Sequence, residues 1–97
     1  MIIRGALVRE QRRRRLYPVS GKQKALHHLA SFVTTRENPF KPHKHEGDEL
    51  WYIIEGEAIV SLDGGEQSVE SGDLVIVASG AEHGVRTELR AFWLCLG

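Results

Sequence analysis

The chain has one cysteine among its 97 residues, so an intramolecular disulfide is excluded. That residue, Cys95, lies in the apolar ending "AFWLCLG", where the expected role is a small buried hydrophobe rather than a nucleophile. No apolar run approaches the ~20 residues of a membrane-spanning helix. The opening "MIIRGALVREQRRRR" has too short an apolar stretch before its arginines to act as a secretory signal. A cytoplasmic protein without membrane partners is therefore expected. Net charge is missing too, with 13 Lys and Arg against 13 Asp and Glu, so the whole-chain charge favours no class of partner. Long amphipathic periodicity, internal repeats and a linker to a second domain are all absent. The length fits one domain with a modest core, which self-association would help to stabilise.

The zero net charge hides an asymmetry. Residues 1–24 hold eight cations against Glu10 alone, a net +7, and residues 25–97 hold five against twelve acids, a net −7. The chain is therefore read as a basic arm, residues 1–24, on an acidic body, residues 25–97. The arm could supply a strand to a dimer or lie on the acidic body. The run Arg12–Arg15 has no interleaved aromatic platform and no recognition helix, so nucleic acid is not the expected partner. Residues 6–16 show no apolar helical face.

What the body does contain is strand after strand. "ALHHLASFVTT" (25–35), "ELWYIIEG" (49–56), "EAIVSL" (57–62), "EQSVE" (66–70), "LVIVA" (74–78) and "LRAFWLCLG" (89–97) are separated by turn signals such as "DGG", "SGD" and "SGAEHG". Short strands with Gly-rich turns predict an all-β sandwich or barrel. The continuous apolar run "LVIVA" predicts a strand covered on both faces.

The chemistry is concentrated in "PFKPHKHEGDELWYIIEG", residues 39–56. His43, His45, Glu49, Trp51 and Ile53 share parity, so an unbroken strand from 43 to 53 would show two imidazoles and a carboxylate above an apolar floor. Imidazole nitrogen and carboxylate oxygen are good ligands for Zn, Mn, Fe, Ni or Co. A fourth ligand from a neighbouring strand would close the site, and His83 in "SGAEHGV" is the candidate. Taken singly, each residue reads more plainly: surface histidines in a Pro- and Lys-rich loop, a solvated carboxylate, a turn histidine. His27 and His28 are adjacent and face opposite ways on a strand, and they are read as structural or surface residues.

The spacing carries a resemblance. "HKHEGDELWYIIEG" matches H-x-H-x3-E-x6-G, the first motif of the cupin superfamily, through His43, His45, Glu49 and Gly56. "GDLVIVASGAEHGVRT" resembles the second, G-x5-P-x-G-x2-H-x3-N, through Gly72, Gly80 and His83. Glu37, Ala78 and Thr87 depart from the motifs, standing for Gly, Pro and Asn. The resemblance spans residues 43–87 and fills all four metal positions, His43, His45, Glu49 and His83. It implies a small double-stranded β-helix, or jelly-roll barrel, with a divalent metal in its mouth. It also implies a homodimer formed through the sheets, which the apolar outer residues Leu50, Tyr52 and Ile54 favour independently. A hydroxyl from Thr87 is expected in the cavity, since it shares parity with His83.

Fold does not choose the function. The first expectation is a metal-dependent enzyme of dioxygenase or oxidoreductase type acting on a small molecule, with Trp51, Ile53 and Trp93 walling the pocket. Glu49 would hold the ion, or leave it to act as a base. The alternatives are a non-redox sugar isomerase or lyase, with Lys41, Lys44 and Arg86 near a phosphate, and a non-catalytic module that binds or senses a small ligand.

Overall fold

The computed structural model describes residues 1–97. A 3-10 turn at Gly5–Leu7 precedes nine strands: β1 (Glu10–Gln11), β2 (Arg14–Tyr17), β3 (Leu29–Thr35), β4 (Phe40–His43), β5 (Glu49–Leu62), β6 (Gly65–Glu70), β7 (Leu74–Val77), β8 (His83–Arg86) and β9 (Arg90–Leu96). All the ladders are antiparallel. The fold is a curled all-β half-barrel, as the turn spacing predicts. No helix is long and apolar enough to cross a membrane.

Strand β5 organises the barrel. Its first half lies between β9 and β7, and its second half lies between β6 and β8. The sequence suggests two strands, 49–56 and 57–62, but the structure makes one 14-residue strand. The reason is Gly56, whose φ of +86° bends the chain without ending the ladder. A Cβ there would sit 2.0 Å from the Arg90 carbonyl oxygen, so no other residue fits. A bulge between Ile53 and Glu55 accompanies the bend. Buried positions accordingly switch from Trp51 and Ile53 to Ala58 and Val60.

Two expectations are corrected. Strand β7 is covered on one face only: Val75 and Val77 are buried, whereas Leu74 and Ile76 are 56% and 69% exposed. It pairs only with β5 and forms a sheet edge, so nothing in the chain covers its outer side. The extended run from 43 to 53 is broken, because β4 ends at His43 and the chain turns at Gly47, with φ +96°. Within the N-terminal segment, residues 10–17 form a hairpin whose β2 pairs with β3 of the same chain. Backbone ladders hold this hairpin, and its one ion pair is internal, Arg15 with Glu10 at 3.5 Å. No arm cation forms an ion pair with the acidic body.

The core joins both halves of the barrel. Trp51, Ile53, Val77, Ala91 and Trp93 are fully buried, with Val60, Val75, Val85 and Cys95 packed around them. Phe32 stacks on Trp93 at 4.5 Å, and Trp93 tilts against Trp51 at 4.9 Å. Such aromatic pairs add to area burial, and this slab forms the floor of the barrel mouth.

Candidate functional site

Register brings the first two imidazoles together. His43 ends β4 and lies directly opposite His83, which opens β8. The approach requires Gly84, where a Cβ would meet the Phe40 carbonyl oxygen and the Pro42 nitrogen at 2.9 Å. His45 lies in the loop that follows β4, and three hydrogen bonds tie that loop to the β7–β8 turn. Gly47 N–H donates to Ser79 Oγ (2.9 Å), Ser79 N–H to Asp48 Oδ1 (2.8 Å), and Gly80 N–H to the His45 carbonyl (2.9 Å). The broken strand thus still delivers both histidines, through a braced loop instead of side-chain alternation.

The rings converge. One nitrogen from each of His43, His45 and His83 lies within 4.8 Å of the others. Each Nδ1 faces a backbone carbonyl: His43 with Lys41 at 2.9 Å, His45 with Glu46 at 2.9 Å, and His83 with Ala81 at 2.7 Å. A carbonyl can only accept, so Nδ1 carries the proton and donates it. The neutral ring then presents a bare lone pair at Nε2. His83 Nε2 is buried and has no hydrogen-bond partner.

Glu49 borders the cluster on the His45 and His83 side. Its Oε2 lies 3.3 Å from His45 Nε2, and its Oε1 lies 3.9 Å from His83 Nε2. Trp51 Nε1 donates to Oε1 at 3.2 Å and fixes the carboxylate. Three imidazole nitrogens beside a carboxylate could hold a cation. Ligand bonds of 2.0–2.2 Å put neighbouring donors about 3.0–3.6 Å apart; the 3.3 Å between His45 Nε2 and Glu49 falls in that range and the 3.9 Å from His83 lies just outside it. His43 and His45 are exposed, so one side of the cluster is open to solvent.

The pocket residues expected from the sequence take different places. Trp51 packs its ring edge-on to His83 at 5.3 Å. Trp93 lies behind Trp51 and donates from Nε1 to Thr34 Oγ1 at 2.9 Å. Ile53 is fully buried in the core. Thr87 is a correction: its hydroxyl donates to the Glu57 carbonyl at 2.6 Å and accepts from Leu89 N–H at 3.3 Å. Those bonds commit the hydroxyl to backbone. Thr87 lines a separate groove of about 590 Å³ with Gly56, Glu57 and Leu89.

Sequence reasoning missed three participants. Phe40 touches His43 (4.6 Å), Trp51 (5.9 Å) and Trp93 (5.3 Å), and forms the near wall of the mouth. A groove of about 650 Å³ reaches Phe40 and Phe32 from the arm side, past Arg12 and Arg14. His28 and Cys95 are the other two: their donor atoms and Glu49's all lie within 4.8 Å of one another. Burial, reinforced by the Glu49 carboxylate, pushes the Cys95 thiol up to about 12. Burial lowers His28, with Glu49 opposing. Parity with buried Trp93 could have placed Cys95 on the inner face, but nothing local to His28 reveals that it faces inward.

The family profile described as "Cupin domain" matches residues 33–97. No curated protein matches the chain. Solved structures agree in fold. A predicted oxalate decarboxylase from Thermotoga maritima superposes with a TM-score of 0.72 at 18% identity, covering 99% of this chain and 96% of its own. A cupin 2 conserved barrel domain protein from Rhodopseudomonas palustris gives 0.74 at 19% identity, over 86% of this chain and 57% of its own. A Neisseria meningitidis protein gives 0.70 at 17% identity, over 95% and 88%. At these identities the likeness shows the fold alone.

Proposed function

Because the chain belongs to the cupin domain family, we propose that it is a small metal-binding protein whose His43, His45, Glu49 and His83 hold one divalent ion in the barrel mouth. The observation that carries this reading is the buried, partnerless Nε2 of His83 facing the Glu49 carboxylate. An orphaned buried nitrogen is costly, and a ligated ion removes that cost. The carbonyl partners of the three Nδ1 atoms are the outer contacts that orient imidazole ligands. Mn, Fe, Ni, Co and Zn all suit three nitrogens and one carboxylate.

The activity that fits best is enzymatic, on a small chelating molecule, of dioxygenase or related oxidoreductase type. When bound, the ion would supply Lewis acidity and open positions at the solvent side of the cluster. The chain's own residues do the rest. His43 and His45 leave that side accessible, Phe40 and Trp51 form an apolar wall that limits water, and Glu49 balances the ion's charge. A dicarboxylic acid such as oxalate joins the candidate substrates through the Thermotoga maritima neighbour's description. The sugar-phosphate reading is weaker, since Arg86, one of its three cations, is engaged by Glu66 at 3.1 and 3.2 Å. A binding or sensing module without turnover is the other alternative.

Elemental analysis of the purified protein and of His45→Ala tests the metal reading. His45→Ala is expected to hold about one ion per chain fewer than the native protein; equal ion content in the two refutes the reading. Oxygen uptake and carbon dioxide release with small chelating acids then separate the enzyme from the binding module.

The proposal extends to a homodimer. Leu50 and Tyr52 on β5 and Leu74 and Ile76 on β7 form one exposed outer face. Cross-strand register continues it through Leu94 and Leu96 on β9. An apolar face of this kind favours a second sheet as its cover.

A further inference from the structure

A second cluster of metal-ligating side chains lies beside the first, and no cupin motif accounts for it. Three adjacent strands build it on the inner face of the sheet. Cys95 on β9 is opposite Trp51 of β5 and Ala30 of β3. One step along, Gly97 exchanges two backbone hydrogen bonds with His28, both 2.9 Å, and Leu96 is opposite Leu50, which sets Glu49 level with Gly97 on the other side. His28, Gly97 and Glu49 therefore form one row, with Cys95 in the next row at its centre. The middle of the row has no side chain. A Cβ on Gly97 would come 3.6 Å from Glu49 Cγ and 3.2 Å from the Asp48 carbonyl. The gap is bordered by one nitrogen, one oxygen and one sulfur donor, all within 4.8 Å of each other.

We infer that His28, Glu49 and Cys95 form a second metal position, selective for zinc-like ions, and that Glu49 bridges it to the ion held by His43, His45 and His83. The bridging rests on the function proposed above; the second position rests on its own three donors. Nitrogen, thiolate and carboxylate together suit Zn2+ or Co2+ rather than Mn2+ or Mg2+. On binding, the Cys95 thiol proton leaves to solvent and the sulfur becomes an anionic ligand. Glu49 is shared between the donor sets, since one of its oxygens also lies within 4.8 Å of the His28 nitrogen and the Cys95 sulfur. Its neighbours on one side are His45 and His83, at 3.3 and 3.9 Å.

The test is a Co2+ titration of the full, metal-free chain, read by bound equivalents and by the near-ultraviolet sulfur-to-cobalt band. The chain has one cysteine, so that band reports Cys95 alone. Native protein is expected to take two equivalents and show the band. Cys95→Ser should take one equivalent with no band, and His45→Ala should keep the band. His28→Gln, a half-buried and milder change, should weaken the band-forming site at least tenfold, and it carries the test if Cys95→Ser does not fold. One equivalent without the band in native protein overturns the second position and leaves the first intact. One equivalent with a band that survives His45→Ala supports the second position and refutes the first. No uptake by native protein refutes both.

Discussion

The first half of β5 has two faces made from alternate residues of one segment. Glu49, Trp51 and Ile53 point inward; the last two are fully buried and the first is held by a tryptophan N–H. Leu50 and Tyr52 point outward and are 41% and 43% exposed. The inner face is closely committed: Trp51 packs against Phe40, His83 and Trp93 and donates to Glu49, and Ile53 lies in the core. The outer face is just as apolar yet has no such partners in the chain. The difference shows that apolarity alone does not mark the site. The site lies where apolar packing and unspent ligand atoms meet.

Substitutions sharpen this contrast, and the largest effect belongs inside. Trp93→Ala removes the ring stacked between Phe32 and Trp51 and leaves Thr34 Oγ1 without its donor. A loss of about 3–5 kcal/mol is expected in urea denaturation. Gly56→Ala follows, because it forces a Cβ into the Arg90 carbonyl at positive φ. A left-handed non-glycine residue alone costs about 1–2 kcal/mol, and the clash adds to it, so thermal melting should show a clear drop.

A pH effect comes next. The folded chain keeps the Cys95 proton up to about 12, whereas the unfolded thiol loses it near 9.0. The folded state then binds more protons than the unfolded state, so the metal-free protein should lose stability as pH rises from 9.0 toward 12. The slope from one proton cannot exceed about 1.4 kcal/mol per pH unit. Cys95→Ser should flatten it in denaturant titrations at several pH values. The smallest effect on folding belongs outside. Ile76→Asp should change monomer stability by less than about 0.5 kcal/mol but weaken self-association in sedimentation velocity. An equal loss of folding stability would erase the contrast between the faces.

Strands and turns were legible because Gly-rich turns and β-branched runs are local signals. The four spaced residues His43, His45, Glu49 and His83 are legible in the sequence, but a loop and not strand parity brings them together. Gly47 breaks the strand, and the loop is held by Ser79 and Gly80, which are distant in sequence. Thr87 was misplaced because parity fixes a direction and not the bond that a hydroxyl makes. The inward placement of His28 depends on its pairing with Gly97 across sixty-nine positions, which no local pattern encodes. The open face of β7 was missed because an apolar run reads the same whether a partner or the chain itself covers it.

Bare Nε2 lone pairs converging on one cation position underlie the proposed metal site. Nitrogen-15 NMR of the histidine rings tests it most directly, first without metal and then with one equivalent of Zn2+. His43 and His83 are expected to carry their proton on Nδ1 in the metal-free protein, and Nε2 of His43, His45 and His83 is expected to shift together when zinc is added. Protonated Nε2 on His43 or His83 at neutral pH, or rings that ignore the metal, would contradict it.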